Sequence, residues 1–404
     1  MSKYQILPWN RAPFDDFIKV EKTEGHHLYT SAGDKLLDYT YSIAFTLGYN
    51  NKEIIDEIYN ELMTVSRCQV GRGYTTDSIE EMSDWLCETG EWAGYSWSVT
   101  GTGAVECAIS MVDTYWKNLR RKDKFKIITF PNGWHGTSYL TKSMAVPSEM
   151  NYLSNRCVHV GGPSWRLIQD REKDEARILN KVIEKLSQPN NNIGCILFDP
   201  CPWFLTAEFS ENFWRQIRKI CDEYDVLMVT DDVATGFGKL GAIHTHTVKG
   251  AGVRADISAL GKAITAGHAP LSAAVCNLKV KNVIAKDFGY GHTYLPYMGG
   301  IGAMRAVKRI YERDKILERV PKINQWLNKM GDDLLQNGLI RSYRTAGVMM
   351  SLDLTENYKA RTQHKYGLSG KLQSVPNLYL CAPLIADETY MEEIASKFTD
   401  IFSK

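Results

Sequence analysis

Apolar residues fall into two rhythms along this chain. Unbroken runs recur at Lys126 to Phe130 (KIITF), Ile193 to Phe198 (IGCILF), Val226 to Val229 (VLMV) and Ile257 to Leu260 (ISAL). Short apolar runs without alternation suit strands buried on both faces of a parallel sheet. Between them the spacing changes to three and four. Residues 52–65 align Ile54, Ile55, Ile58, Leu62 and Val65, and Ser78 to Glu88 align Met82, Trp85 and Leu86 behind a capping position at Ser78. Val105, Ala108, Ile109, Val112 and Trp116 form a third stripe, and residues 176–187 and Phe213 to Tyr224 form two more. Strand alternating with helix over residues 95–275 predicts an α/β fold with a mainly parallel sheet.

The two ends of the chain read differently. His27 to Thr30 and Lys35 to Tyr39 flank a glycine-containing turn, as a hairpin does. Past Gly300 come long helical patterns to Arg313 and from Ile316 to Gly338. Strands at Met349 to Leu354 and Leu378 to Cys381 follow, then a closing helix from Tyr390 to Phe402. The expected organisation is a large α/β domain over residues 52–299, with a smaller α+β domain built from residues 1–51 and 300–404.

Chemistry collects where the apolar runs end. Asp231 follows the Val226 run and Lys262 follows the Ile257 run. In open α/β sheets the carboxyl ends of strands are where ligands bind. A lysine there is costly unless paired or neutral, and a neutral amine attacks carbonyls to form a Schiff base. An acid and a lysine on nearby strands suit pyridoxal phosphate, the lysine holding the aldehyde and the acid keeping the ring nitrogen protonated. A charge pair about 4 Å apart at an effective dielectric of about 20 is worth ~4 kcal/mol. That is roughly 3 units of ring-nitrogen pKa. Taken alone, the plainer reading is that Asp231 caps a turn and Lys262 reaches to water.

Other segments add to the pair. Gly101-Thr102-Gly103 links a β-like segment to a helix, where free N–H groups and the helix dipole favour an anion such as phosphate. The segment has neither a Walker ending nor the third glycine of a dinucleotide fingerprint, and a plain tight turn explains it as well. Trp134, between glycines after the Lys126 run, could stack on a flat heteroaromatic ring or simply fill core. His135 beside it either orients substrate or, more plainly, hydrogen-bonds its own loop. His244 and His246 lack a ligand-spaced Cys or carboxylate and read as loop histidines, so no metal is expected.

Composition narrows the setting. A net charge of +1 over 404 residues gives no global reason to bind nucleic acid or membrane. Nine scattered cysteines without a C-x-x-C pair point to reduced thiols. No apolar run approaches the ~20 residues of a membrane helix. The first residues, MSKYQILPWNRAPFDDF, resemble neither signal nor transit peptide. The expectation is a cytoplasmic protein.

Several motifs in order resemble those of the class III aminotransferases, which are fold-type I pyridoxal phosphate enzymes. DDVATGFGKLG at residues 231–241 is similar to the family's D-E-V/I-x-T-G-F-G-R-x-G, and ADISALGKAITAG at 255–267 to its P-D-I-x-x-x-G-K-A-x-x-G-G. TGTGAVE at 100–106 corresponds to S-G-S-E-A-V-E, and Trp134-His135-Gly136 to an aromatic-His-Gly motif. The resemblance implies a Schiff base at Lys262, a ring-nitrogen contact from Asp231, and phosphate contacts from Gly101 and Thr102. It also implies a ring sandwiched by Trp134 and Val233. It implies a homodimer with shared sites, Thr293 crossing to the neighbour's phosphate. A small-molecule amine donor and a carbonyl acceptor would meet Trp134, Gly291 and Tyr379.

The resemblance is nearest to the biotin-pathway branch, the adenosylmethionine:8-amino-7-oxononanoate aminotransferases. The chain departs from that branch at Ser42 and Ile43, which stand before Gly48-Tyr49-Asn50 where a tryptophan pair is usual. It has Asp199-Pro200 for Glu-Pro, and Tyr379 near the place of a carboxylate-binding arginine. Pocket positions have changed while cofactor positions have not. A decarboxylase or aminomutase on the same scaffold and a catalytically silent interaction subunit stay open as alternatives. A nicotinamide enzyme is contradicted by the missing fingerprint.

Overall fold

A computed structural model of the chain describes residues 18–131, 133–145, 155–202, 205–355, 368–369 and 377–403. The N-terminal stretch read above for targeting, and Asn132 of the Trp134 loop, lie outside them. In chain order the elements begin with β1 (Val20–Glu24), β2 (His27–Thr30), β3 (Lys35–Asp38), α1 (Lys52–Thr64), α2 (Asp77–Glu88), β4 (Gly94–Ser98) and α3 (Gly101–Asn118). The central stretch holds β5 (Lys126–Thr129), α4 (Tyr139–Ala145), β6 (Cys157–His159), α5 (Arg171–Leu186), β7 (Ile193–Phe198), α6 (Glu211–Glu223), β8 (Leu227–Asp231), α7 (His246–Lys249) and β9 (Ile257–Leu260). There follow β10 (Ser272–Cys276), α8 (Leu278–Ile284), α9 (Met298–Arg313), α10 (Val320–Gln336), β11 (Ile340–Ala346), β12 (Met349–Leu354), β13 (Leu368–Ser369), β14 (Asn377–Cys381) and α11 (Glu388–Phe402).

The central sheet has seven strands in the order β4-β10-β9-β8-β7-β5-β6. Neighbours from β9 to β6 run parallel, and only β10 opposes its neighbours. Its apolar runs are buried on both sides, as their lack of alternation requires. Ile128, Ile196, Phe198, Met228 and Leu260 join the core under α2, α5 and α6. Ile127, Leu197, Leu227, Val229 and Ala259 join the core under α3 and α8. A third core gathers Leu37 and Tyr39 from the start of the chain with α10, α11, β12 and β14 from its end. There β3 pairs parallel with β13, and Cys381 N–H donates to Tyr39 O at 2.9 Å.

Local details differ from the sequence reading at three points. Thr76, not Ser78, caps α2, accepting the Ile79 N–H at 3.2 Å, while Ser78 Oγ donates to Glu61. Asp231 is the last residue of β8 rather than the one just past it. The helix after the glycine turn starts earlier, at Gly101, with Thr100 Oγ1 accepting Gly103 N–H at 2.9 Å.

Candidate functional site

Three adjacent parallel strands end at one place. Register pairs Phe198 with Thr230 and Asp231 with Ala259, so Asp199, Asp231 and the Gly261-Lys262 turn leave β7, β8 and β9 side by side. Their carboxyl ends open towards the first turn of α3. This is the position at which parallel α/β sheets take ligands.

Asp231 is almost wholly buried and is gripped from two directions. Its Oδ1 accepts the Val233 N–H at 3.1 Å. Its Oδ2 lies 2.7 Å from His135 Nδ1, with both side chains shielded from water. A carboxylate only accepts, so the imidazole carries its proton on Nδ1 and donates it to Asp231. His135 therefore reaches beyond its own loop to Asp231. Its Nε2 has no hydrogen-bond partner among the described residues. The next residue, Asp232, turns the other way and accepts from Thr235 Oγ1 at 2.9 Å and Ser258 Oγ at 3.2 Å. Burial still pushes its carboxyl up to about 6.

Lys262 stands in the left-handed region, with φ of 46°, at the head of a 3-10 turn that spans Lys262–Thr265. That conformation costs a non-glycine residue of order 1–3 kcal/mol and persists where surrounding structure enforces it, often at functional sites. The side chain is half-buried. Burial lowers the proton affinity of its amine, against the opposing pull of Asp231 and then Asp199. The result is an amine poised towards its nucleophilic form.

Glycines let the surrounding loops close in. A Cβ on Gly101 would stand 2.6 Å from Val233 Cγ1, and one on Gly261 would stand 3.3 Å from the same atom. Val233 is thus wedged between the first turn of α3 and the lysine turn. Gly136, at φ of 127°, brings the Trp134 loop onto Thr102, where any side chain would collide with Thr102 Oγ1. Ser138 Oγ donates to Glu106 of α3, and Ser272 Oγ donates to Thr100 O at 2.7 Å. Gly101 and Thr102, in the first turn of α3, therefore lie against the turn that carries Lys262. Trp134 is 39% exposed, so it is not a core tryptophan.

Two groups of sequence-named residues sit elsewhere. Gly291 and Thr293 are exposed in a cleft of about 380 Å³ lined also by Arg72, Tyr95, Trp97 and Tyr290. Tyr290 reaches back from that cleft to donate to Gly103 O at 2.8 Å. Tyr379 is fully buried in the third core, close to Asp199, Cys201 and Cys381. Sequence reasoning missed the His135–Asp231 bond and the part Asp199 could play beside Asp231. It passed over Lys239, which is fully buried and whose amine burial lowers to about 7. His244 accepts the Trp92 Nε1–H at 3.1 Å, and its Nε2 lies 2.9 Å from Leu86 O.

A buried acid, a lysine of lowered proton affinity, an anion-ready helix start and an aromatic rim together suit a flat phosphorylated ring. Comparison with known proteins agrees. The chain is 28% identical to the adenosylmethionine-8-amino-7-oxononanoate aminotransferase of Staphylococcus aureus over 368 residues, which cover 86% of this chain and 81% of that one. It is 23% identical to the putrescine–pyruvate aminotransferase of Pseudomonas aeruginosa, covering 86% and 81%. An amine transaminase from an uncultivated Pseudomonas species, solved in its PLP-bound form, shares the fold with a TM-score of 0.89. That likeness covers 100% of this chain and 99% of the other at 20% identity. Residues 10–402 match the family described as aminotransferase class-III. The chain belongs to the class-III aminotransferases, fold-type I enzymes that use pyridoxal 5'-phosphate to move an amino group between an amine and a carbonyl.

Proposed function

We propose that amino transfer in this protein runs through Lys262 and Asp231, with Gly101 and Thr102 holding the cofactor phosphate and Trp134 and Val233 covering the two faces of its ring. The observation that carries the reading is the pairing of Asp231, locked by His135 at 2.7 Å, with an amine of lowered proton affinity beyond the neighbouring strand. The residues fit the cofactor. The glycines at 101 and 136 let the first turn of α3 and the Trp134 loop close on Val233 and Thr102 beside the lysine turn, and the buried Asp231 suits a protonated ring nitrogen. Bound there, pyridoxal phosphate supplies an electron sink that no side chain offers.

The chain's own residues do the rest. Asp231 would accept a hydrogen bond from the protonated ring nitrogen, and His135 keeps that carboxylate from turning away. With pyridoxal phosphate bound, Lys262 Nζ would hold it and would serve as the base and acid that moves a proton at the substrate carbon. Trp134 limits water at the rim. Gly291 stands with Thr293 in the separate cleft and would serve a second copy's site, while Tyr379 is buried near Asp199. The donor is a small amine or amino acid and the acceptor a small carbonyl compound.

The same reading extends to the assembly. Thr293 lies in a cleft apart from Lys262, which suits a residue serving a second copy's phosphate, so the active enzyme is a homodimer. All nine cysteines are free, which suits the cytoplasm. Among the described residues no helix is long and apolar enough to cross a membrane. The chain divides near residues 51 and 299 into a cofactor-binding part and a smaller part drawn from both ends.

Borohydride reduction of the holoenzyme, followed by peptide mapping, is expected to find the cofactor fixed to Lys262. A tag on any other lysine overturns the assignment. Lys262→Ala should keep the fold by circular dichroism and lose amino transfer by about 10⁴-fold.

A further inference from the structure

Asp199 is a buried carboxyl that the scheme above leaves idle. It follows β7, one strand over from Asp231, and is 3% exposed. The register of β7 on β8 sets Asp199 beside Asp231, so both leave the sheet at one level. One carboxyl oxygen accepts the Cys201 N–H at 3.0 Å, and no second hydrogen bond from a described residue engages the group. The charged groups around it are Asp231, Lys262 and Asp232. Arg344, the buried guanidinium of this region, is spent on Asp353, Leu205 O and Arg166 O.

The chemistry of the cofactor says what should stand there. In pyridoxal phosphate the aldehyde carbon and the ring nitrogen lie on one axis, with the phosphate arm on one flank and the ring hydroxyl oxygen on the other. With their proposed roles, Lys262 and Asp231 at the ends of β9 and β8 would set that axis. Gly101 and Thr102, packed against the Gly261 turn, take the phosphate flank. The opposite flank is the β7 side, where Asp199 stands. We propose that Asp199 is a further cofactor-binding residue, its carboxyl O–H donating a hydrogen bond to the ring oxygen of pyridoxal phosphate. The inference rests on the proposed roles of Lys262 and Asp231.

The donor must be a protonated acid, and the surroundings favour one. Burial, and next the charge of Asp231, push the Asp199 carboxyl well above the usual carboxylate range. Two carboxyls side by side in a poorly solvated site rarely ionise together. Donation to the ring oxygen stabilises its anionic form and so holds down the pH at which the bound cofactor loses its proton.

The test is the visible absorption of reconstituted holoenzyme followed across pH, with cofactor dissociation measured alongside. Asp199→Leu should raise the midpoint of the absorbance change by about one pH unit or more. It should also release cofactor roughly tenfold faster. Asp199→Asn keeps an acceptor for Cys201 N–H and an N–H donor for the ring oxygen, and should stay near wild type in both readouts. An unchanged or lowered midpoint in Asp199→Leu, with the fold intact by circular dichroism, overturns the proposal. So does an Asn variant that shifts as far as Leu. Borohydride mapping of wild type decides the Lys262 assignment independently, so failure there is distinguishable from failure at Asp199.

Discussion

A carboxylate sunk at the end of a strand costs several kcal/mol in lost hydration unless something answers its charge. At Asp231 the answers on the chain's own side are His135 Nδ1–H and Val233 N–H. Their directions leave the group aimed rather than merely satisfied. Asp231→Asn removes the charge and keeps the shape. It should fold and still bind cofactor, yet slow the stopped-flow half-reaction by roughly 10³-fold, the counterpart of ~4 kcal/mol lost at the ring nitrogen. An undiminished rate would count against the electron-sink role. Asp231 and Lys262 were legible in the sequence because each ends an unbroken apolar run, and a charge in that place is informative by itself. His135 was not, since its partner lies 96 positions away and only folding brings them together. Asp199 was visible only as a departure from a motif.

At the scale of elements, patterning worked where side chains follow one physical rule. The doubly buried strands β5, β7, β8 and β9 and the amphipathic helices α1, α3, α5 and α6 were readable from apolar spacing alone. β11 was not, because its inward positions include Ser342 and Arg344, which meet Asp353 rather than apolar neighbours. β10 escaped notice because its small residues, SAAVC, follow a proline-containing loop without a turn signal. The contact between elements that matters most here, α3 against the β8 and β9 turns, depends on missing Cβ atoms. Gly101→Ala would press on Val233, whose Cγ1 stands 2.6 Å from the added carbon. Buried valine has little room to yield. The variant should bind pyridoxal phosphate about tenfold more weakly by equilibrium titration and lose about 1–3 kcal/mol of stability. Affinity equal to wild type would mean that this approach does not shape the phosphate site.

For the whole molecule, the central question is how the part built from both chain ends seats on the sheet. Lys239 lies in that seam. Val348 N–H donates to its carbonyl at 2.9 Å, and a side chain on Gly347, at φ of 56°, would overlap the same oxygen. Its amine, donating to Gly236 O at 3.2 Å, has its pKa lowered from 10.5 to about 7 by burial. Between those values the unfolded chain holds a proton that the folded one lacks, so this residue makes stability rise with pH across that window and imposes its full penalty below pH 7. Lys239→Met should remove that slope, a difference of about 1.4 kcal/mol per pH unit in denaturant titrations between pH 7 and 10. Parallel curves would show the amine to be paired in solution. On the outside, α1 turns Glu53 and Glu57 to Arg309 and Arg305 of α9, while Ile55, Tyr59 and Met63 form a stripe exposed to 44%, 62% and 69%. For the proposed homodimer, sedimentation should give twice the 45.8 kDa chain mass. Thr293→Ala should weaken phosphate binding by about tenfold without dissociating the pair. A monomer with full activity would remove the shared site. By itself the sequence determined which stretches are strands or helices, which cofactor suits them, and which acid and amine end adjacent runs, since all of these follow from neighbours a few positions apart. Tertiary structure alone decided that His135 answers Asp231, that Val233 wedges two glycines, that Asp199 stands beside Asp231 and that Tyr379 is buried near it. Each of those depends on register and distance between segments far apart along the chain, which local spacing does not encode.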